Sequence, residues 1–405
     1  MLSRIPDTSL RLVYLTILLL GMAYGLAVSI VGVFLEERGY GKDAIGQLAV
    51  FFAAGIVALS IPSGALIRRF GEKRVLLGSL VGYAVAVGAF PFMDSFAGVA
   101  ASRFFDGAFS VGVWVSSQTI LLSRAPRSKK AYFTSLYAIM LALGYVIGPI
   151  LSRGIVFASG KTASFIAAAV LALFAALVCG ALLDPHAPLP EAAQGEEIHE
   201  LTGEGKPTLS AGQVFWRVKM SCAATFSYGY FQASVALFLP LFLLQKGMTE
   251  GQTIMVPAFF AAGMLLFANF AAKQGDRFGH LTVMRALGLI GTGAIVSFLF
   301  VRDEALLYAL IFIAGASLAS VSPVSLALQG LCVPKTEMSR AAGFYNACYA
   351  LGMLVGPPVS GRLFEGVSGQ AMIAHFAGLW LLFALATVIF RRDDPRLAHE
   401  ARPRP

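Results

Sequence analysis

Stretches of about 20 consecutive apolar residues recur along this chain, and each is long enough to cross a hydrocarbon core of roughly 30 Å. "LTILLLGMAYGLAVSIVGVFL", Leu15 to Leu35, is one, and "SFIAAAVLALFAALVCGALL", Ser164 to Leu183, is another. No soluble core could absorb so many. With 57% hydrophobic residues, 13% charged residues and a mean hydropathy of +0.75, the chain reads as a polytopic membrane protein. Long runs exclude a membrane β-barrel, whose strands are short and alternate in polarity.

Twelve spans are predicted, at about 10–35, 44–67, 74–92, 96–122, 131–152, 162–183, 217–244, 252–273, 281–301, 304–330, 337–362 and 369–390. Their connections alternate in charge. Arg68, Arg69, Lys73 and Arg74, then Arg124, Arg127, Lys129 and Lys130, then Lys273, Arg277 and Arg285, then Lys335 and Arg340 fall on one side with both termini. The bias of Lys and Arg toward the inside places that side in the cytoplasm, with the chain in the inner membrane. The first run follows Arg4 and Arg11, is too long for a cleaved signal, and is expected to stay. The net charge of +9 is spread over these turns, so no nucleic-acid face is expected.

The longest connection, 184–212, is rich in Pro, Gly and Glu, as a solvated linker should be. It separates an N-terminal bundle, 1–183, from a C-terminal bundle, 213–405. The halves repeat. An offset of 208 residues takes Arg68 to Asp276, Phe34 to Phe242, Arg38 to Lys246, and Gly107 to Gly315. The same offset takes Gly144, Gly148 and Pro149 to Gly352, Gly356 and Pro357. A register shared over most of a half is the mark of duplication, a recurring plan in secondary transporters.

Three motifs give the chain a resemblance to the major facilitator superfamily. The first is the turn after the second span, G-x-L-x-D-R-x-G-[RK] in that family. Here it reads Gly64-Ala65-Leu66-Ile67-Arg68-Arg69-Phe70-Gly71, with Arg68 in place of the acid. Its echo keeps Asp276, Arg277 and Gly279, with Ala272 for the leading glycine. The second is Arg103-x-x-x-Gly107. The third is Gly144-x-x-x-Gly148-Pro149, which in the family accompanies exporters, although its closing Gly-Gly is Ser152-Arg153 here. The resemblance implies an all-α membrane fold of two six-helix bundles related by pseudo-two-fold symmetry. It also implies alternating access.

In the family, the acid of the first turn lies near the start of span eleven and latches the bundles on the cytoplasmic side. Arg68 reverses that charge, and Glu337, at the start of span eleven here, is a partner of the right sign for Arg68 or Arg69. Headgroup anchoring of both arginines is the alternative. Asp276 is expected beside Lys129 and Lys130. Gly71 and Gly279 supply the positive φ that so tight a reversal needs.

Arg103 and Asp106 are i and i+3 on one helix face and can pair. Ionised groups at membrane depth rarely face lipid, so the pair reads either as a proton-sensitive coupling site or as a structural tie that fixes span four. The family's matching arginine is often linked to coupling. Further polar groups fall on spans that line the family's central cavity: Tyr24, Trp114, Gln118, Tyr137, Tyr145, Gln232, Ser317, Ser320, Asn346 and Tyr349. As a set they suit a small amphipathic or cationic molecule, while each alone could simply bond between helices. Gly78-x-x-x-Gly82 and the two later glycine pairs permit close packing, and Pro149, Pro323 and Pro357 are expected to bend their helices. His375 is expected to be structural.

No P-loop, G-x-S-x-G or H-E-x-x-H occurs, and Cys179, Cys222, Cys332 and Cys348 lack metal spacing. The expectation is a monomeric secondary transporter rather than an enzyme, with no cofactor and no metal. It exports a small amphipathic compound in exchange for protons. Uptake of a small metabolite, or a transporter-like sensor that no longer cycles, remain the alternatives.

Overall fold

A computed structural model describes residues 7–124, 130–183, 209–334 and 337–394, and no strand occurs among them. Twelve long helical segments result: α1 Thr8–Glu37, α2 Lys42–Phe70, α3 Glu72–Ala89, α4 Phe96–Arg124, α5 Lys130–Ser159, α6 Lys161–Leu182, α7 Ala211–Gln245, α8 Glu250–Phe278, α9 His280–Ser297, α10 Glu304–Cys332, α11 Met338–Gly366 and α12 Gly369–Ile389. Ten are long and apolar enough to cross a membrane. The two that fall short are the most polar. α4 carries Arg103 and Asp106, and α11 carries Arg340, Asn346 and Arg362. Outer faces are apolar, as in the row Val170, Leu173, Phe174 and Leu177 of α6, all exposed.

The chain forms two compact units, Met1–Phe34 with Leu48–Gly203, and Leu35–Gln47 with Glu204–Pro405. In the first, α1 packs on α5 and α6, and α3 on α4 and α6. In the second, α7 packs on α11, α9 on α12, and α8 on α10. Most of the expected linker lies outside the described residues, as do Lys129 and the structure of both extreme termini. The seventh span starts earlier than expected. Ser210 caps α7, accepting from the Gln213 N–H at 3.3 Å while Gln213 accepts from the Ser210 N–H at 2.9 Å. This reciprocal cap draws Ala211 and Gly212 from the linker into the helix.

The 208-residue offset survives at atomic scale. A Cβ on Gly107 would lie 2.0 Å from the Phe52 carbonyl oxygen, and one on Gly315 would lie 2.0 Å from that of Phe260. Gly55 meets Phe104, and Gly263 meets Phe312. Gly144 and Gly148 meet Leu18 and Met22, while Gly352 and Gly356 meet Phe226 and Tyr230. Each contact in one unit has its partner 208 residues later in the other. The duplication is therefore a duplication of backbone approach, which only glycine permits. Gly78 breaks the expectation, since nothing among the described residues lies within 4 Å of its Cβ position, whereas Gly82 packs under the Phe109 ring.

Two helices depart from regularity. α1 breaks at Ser29–Ile30, and the Leu26 carbonyl there accepts from Ser29, Ser152 and Ser164 at 3.2, 3.3 and 3.2 Å. Ser152, the departure from the third motif, thus serves a carbonyl near this break. α10 widens into a π-turn over Gly315–Ala319, after which Pro323 enters where the helix restarts. Such a turn inside an α-helix frequently marks a functional position. Pro149 and Pro357 lie inside α5 and α11, which continue through them.

Candidate functional site: an ion pair beneath an aromatic cluster

The second motif folds into a specific contact. Gly107 lets α2 approach α4 closely, and this brings Phe52 alongside. The Arg103 guanidinium lies over the Phe52 ring, 4.5 Å from its centroid. From there it reaches Asp106 at 2.5 Å, with side-chain exposures of 12% and 7%. Ser110, one turn on, donates to the Asp106 backbone oxygen at 2.5 Å and approaches its carboxylate at 3.4 Å. A charge pair so enclosed is costly unless each group keeps partners, and here each does.

Above the pair lies an aromatic cluster. Tyr24 of α1 stacks on Tyr145 of α5 at 5.9 Å and contacts Trp114 of α4 at 5.8 Å. It also meets Tyr83 of α3 at 5.2 Å. Tyr83 is the functional candidate that sequence reasoning missed; it sits within an apolar run, and only the fold brings it to Tyr24. The Tyr83 hydroxyl and the indole nitrogen of Trp114 are buried and lack a hydrogen-bond partner among the described residues, while the buried Tyr24 hydroxyl has Ser110 alongside. Asp106 is near enough to act electrostatically on both tyrosines. Leaving a buried donor unpaired costs about 1–3 kcal/mol. Donors buried in this state are a poor packing solution and a good site for a polar partner.

The remaining expectations divide. Tyr137 is buried and shares a hydrogen bond with Ser117 at 2.9 Å, a tie between α5 and α4. Gln118 is exposed beside it. In the second unit, Tyr349 donates to Gln232 at 2.8 Å and faces Tyr228 at 6.1 Å. Asn346, one turn earlier on α11, is exposed. Gln232 therefore occupies in its unit the place of Tyr24, three residues beyond the paired glycines Gly229 and Gly21. Ser317 donates back to the Ile313 carbonyl at 2.6 Å, so its hydroxyl is taken up by its own helix. Ser320 is fully buried with its hydroxyl unpartnered. His375 bonds to Tyr230 and the Met372 carbonyl.

The charged groups of the cytoplasmic turns divide between burial and exposure. Glu337 is fully buried within its own unit, where it accepts from the Leu209 N–H at 3.0 Å and pairs with Arg340 at 3.1 Å. The carboxylate expected to answer Arg68 thus also holds the start of α7. Arg68 and Arg69 are exposed, with Arg69 over the Phe70 ring. Among the described residues, Gly64 has only the Arg68 side chain near its Cβ position, at 3.7 Å. Asp276 is largely exposed, 3.4 Å from His280, and Arg277 lies over Phe278. Gly71 and Gly279 take the expected positive φ, +82° and +91°. No group of three His, Cys, Asp or Glu side chains among the described residues could hold a metal.

Comparison with known proteins agrees with this fold. The family model described as Major Facilitator Superfamily matches residues 13–269 and 221–405. An uncharacterized MFS-type transporter of Methanocaldococcus jannaschii is 20% identical over 92% of this chain and 95% of its own length. A multi-drug resistance efflux pump PmrA homolog of Lactococcus lactis is 22% identical, over 81% of this chain and 79% of its own. The crystal structure of the nucleoside transporter NupG superposes with a TM-score of 0.77 at 14% identity, covering 95% of this chain and 99% of the other.

Proposed function

The chain belongs to the major facilitator superfamily, and on that premise we propose that it is a proton-linked secondary transporter exporting a small amphipathic molecule by alternating access. The observation that carries the reading is the enclosed Arg103–Asp106 pair beside an aromatic cluster that holds unpartnered donors on Tyr83 and Trp114. A carboxylate held by a guanidinium is a two-state element. Protonation removes the charge of Asp106 and releases Arg103, and deprotonation restores the pair. A substrate with a polar or cationic end and an apolar body fits the rest. Its polar end takes the hydroxyls of Tyr24 and Tyr83, and its body lies against the rings of Trp114 and Tyr145. Cations also favour aromatic faces.

The direction of transport rests on the third motif and on the Lactococcus relative, whose name describes an efflux pump. Cytoplasmic termini rest on the distribution of Lys and Arg, and the inner-membrane location goes with the reading as a proton-linked transporter. The test is transport in proteoliposomes. Compounds that raise the unfolding temperature of the purified protein would be loaded inside, and a proton gradient imposed. The expected result is uphill movement that a protonophore abolishes. Movement indifferent to the gradient would replace exchange by facilitated diffusion. Binding without any movement would leave a sensor.

A further inference from the structure

The α7–α11 seam is among the closest helix contacts in the second unit, and its register is fixed by glycine. Gly352 lies against the Phe226 carbonyl, and Gly356 against that of Tyr230, at Cβ distances of 2.3 and 2.5 Å. The two helices run parallel there, because four residues forward on one is four residues forward on the other. One turn back along the same register, Phe226 leads to Cys222 and Gly352 leads to Cys348. Cys222 belongs to a buried apolar cluster with Val214, Val218, Val333 and Ala341, and Cys348 packs against that cluster. The two sulfurs are close enough to interact directly, and both are free thiols. The equivalent positions in the first unit, 208 residues earlier, are Tyr14 and Met140, so the duplication did not bring this pair.

We propose that Cys222 and Cys348 are a covalent modification site, a dithiol that closes to a disulfide stapling α7 to α11. Backbone approach sets whether two cysteines on separate helices can be bridged, since the Cα atoms must come within about 7 Å. The glycine contacts one and two turns away hold the helices at that kind of approach. The other cysteines are differently placed: Cys179 bonds to Thr16 at 2.8 Å, and Cys332 faces the Asp393 carbonyl at 3.7 Å. The oxidant is a small-molecule disulfide. Cys348, the half-buried member, attacks one sulfur as its thiolate and expels one small thiol, leaving a mixed disulfide. Cys222, deprotonated in turn, attacks the Cys348 sulfur and expels the second. One disulfide forms within the protein, two small thiols leave, and the protein has given up two electrons and two protons.

The test uses the full-length protein in detergent with oxidised glutathione, followed by denaturation, alkylation of free thiols and peptide mass spectrometry. Two of the four thiols should escape alkylation, with the peptides holding Cys222 and Cys348 joined and released by dithiothreitol. Cys222→Ala should stop at the glutathione adduct on Cys348, and Cys348→Ala should give no joined peptide. Four alkylated thiols in the unsubstituted protein would overturn the proposal, whether or not Cys222→Ala takes up glutathione. A joined pair containing Cys179 or Cys332 would overturn it equally. None of these outcomes depends on transport, so the proposal stands or falls apart from the assignment of function.

Discussion

Glu337 and Arg340 grip a single residue, Leu209, from both sides of its peptide. The Glu337 carboxylate accepts from the Leu209 N–H at 3.0 Å, and Arg340 donates to the Leu209 carbonyl at 2.9 Å. Leu209 itself packs against the apolar cluster at the start of α7. The entry to the second unit is therefore tied to α11 by both backbone groups of one residue. Glu337→Ala removes the buried carboxylate and leaves the Leu209 N–H without that partner. A charged hydrogen bond of this kind is worth about 1.5–3 kcal/mol, and a loss of that order is expected in thermal unfolding of the purified protein. Arg68→Glu should not rescue Glu337→Arg. Restoration of stability in that double variant would revive the cross-pairing read from the sequence.

The glycine contacts predict a sharp contrast among substitutions that look alike. Gly107→Ala and Gly315→Ala would place a methyl 2.0 Å from a backbone oxygen, so a helix must move. Overpacking of this kind costs about 1–3 kcal/mol. Because Gly107 seats Phe52 over Arg103, its substitution should also lower transport beyond the loss of folded protein. Gly78→Ala meets nothing and removes the flexibility of a mid-helix glycine, gaining up to about 1 kcal/mol. Fluorescence-detected size exclusion after heating would rank the three. Equal melting of Gly78→Ala and Gly107→Ala would contradict the packing argument.

Much of this architecture was legible because the bilayer leaves few choices. Apolar length reveals the spans, and the 208-residue offset reveals the duplication, while which glycine meets which carbonyl came only with the fold. The Arg103–Asp106 pair was legible because i and i+3 on a helix share a face. Tyr83 was not, because its value lies in a contact with Tyr24, 59 positions away, that no local pattern encodes. The local partners of Glu337 were hidden for a related reason. Its sign suited Arg68, but a buried carboxylate is claimed by whichever donors the fold brings nearest, and these were Leu209 and Arg340. Ser152 looked like a lapse in a motif until the break in α1 exposed the carbonyl it serves.

The turn glycines test backbone strain alone. Gly71 has φ +82° and ψ 150°, and Gly279 has φ +91° and ψ 136°, a region that residues with a Cβ scarcely enter. Gly71 also has open space around its Cβ position, so sterics with neighbours do not contribute. Gly71→Ala should then cost about 1–3 kcal/mol through its own dihedrals, and Gly71→Asn should be no better, since this is not the left-handed helical region that asparagine tolerates. Melting of the two variants alongside Arg68→Ala, which is exposed and expected to be near neutral, would isolate the effect.

Asp106→Asn is the decisive substitution for coupling. Asparagine preserves the shape of the side chain and an oxygen that can accept from Arg103, so the α4 surroundings should persist. It cannot take up or release a proton. If Asp106 couples transport to the proton gradient, uphill flux in proteoliposomes should fall to the level seen with a protonophore. Counterflow exchange of labelled for unlabelled substrate, which needs no net proton movement, should continue. Arg103→Lys should instead weaken both modes, because a point charge loses the planar contact with Phe52 as well as the geometry toward Asp106. Undiminished gradient-driven flux in Asp106→Asn would reduce the pair to a structural tie within α4. Loss of exchange as well would mean that Asp106 binds substrate rather than gating its coupling.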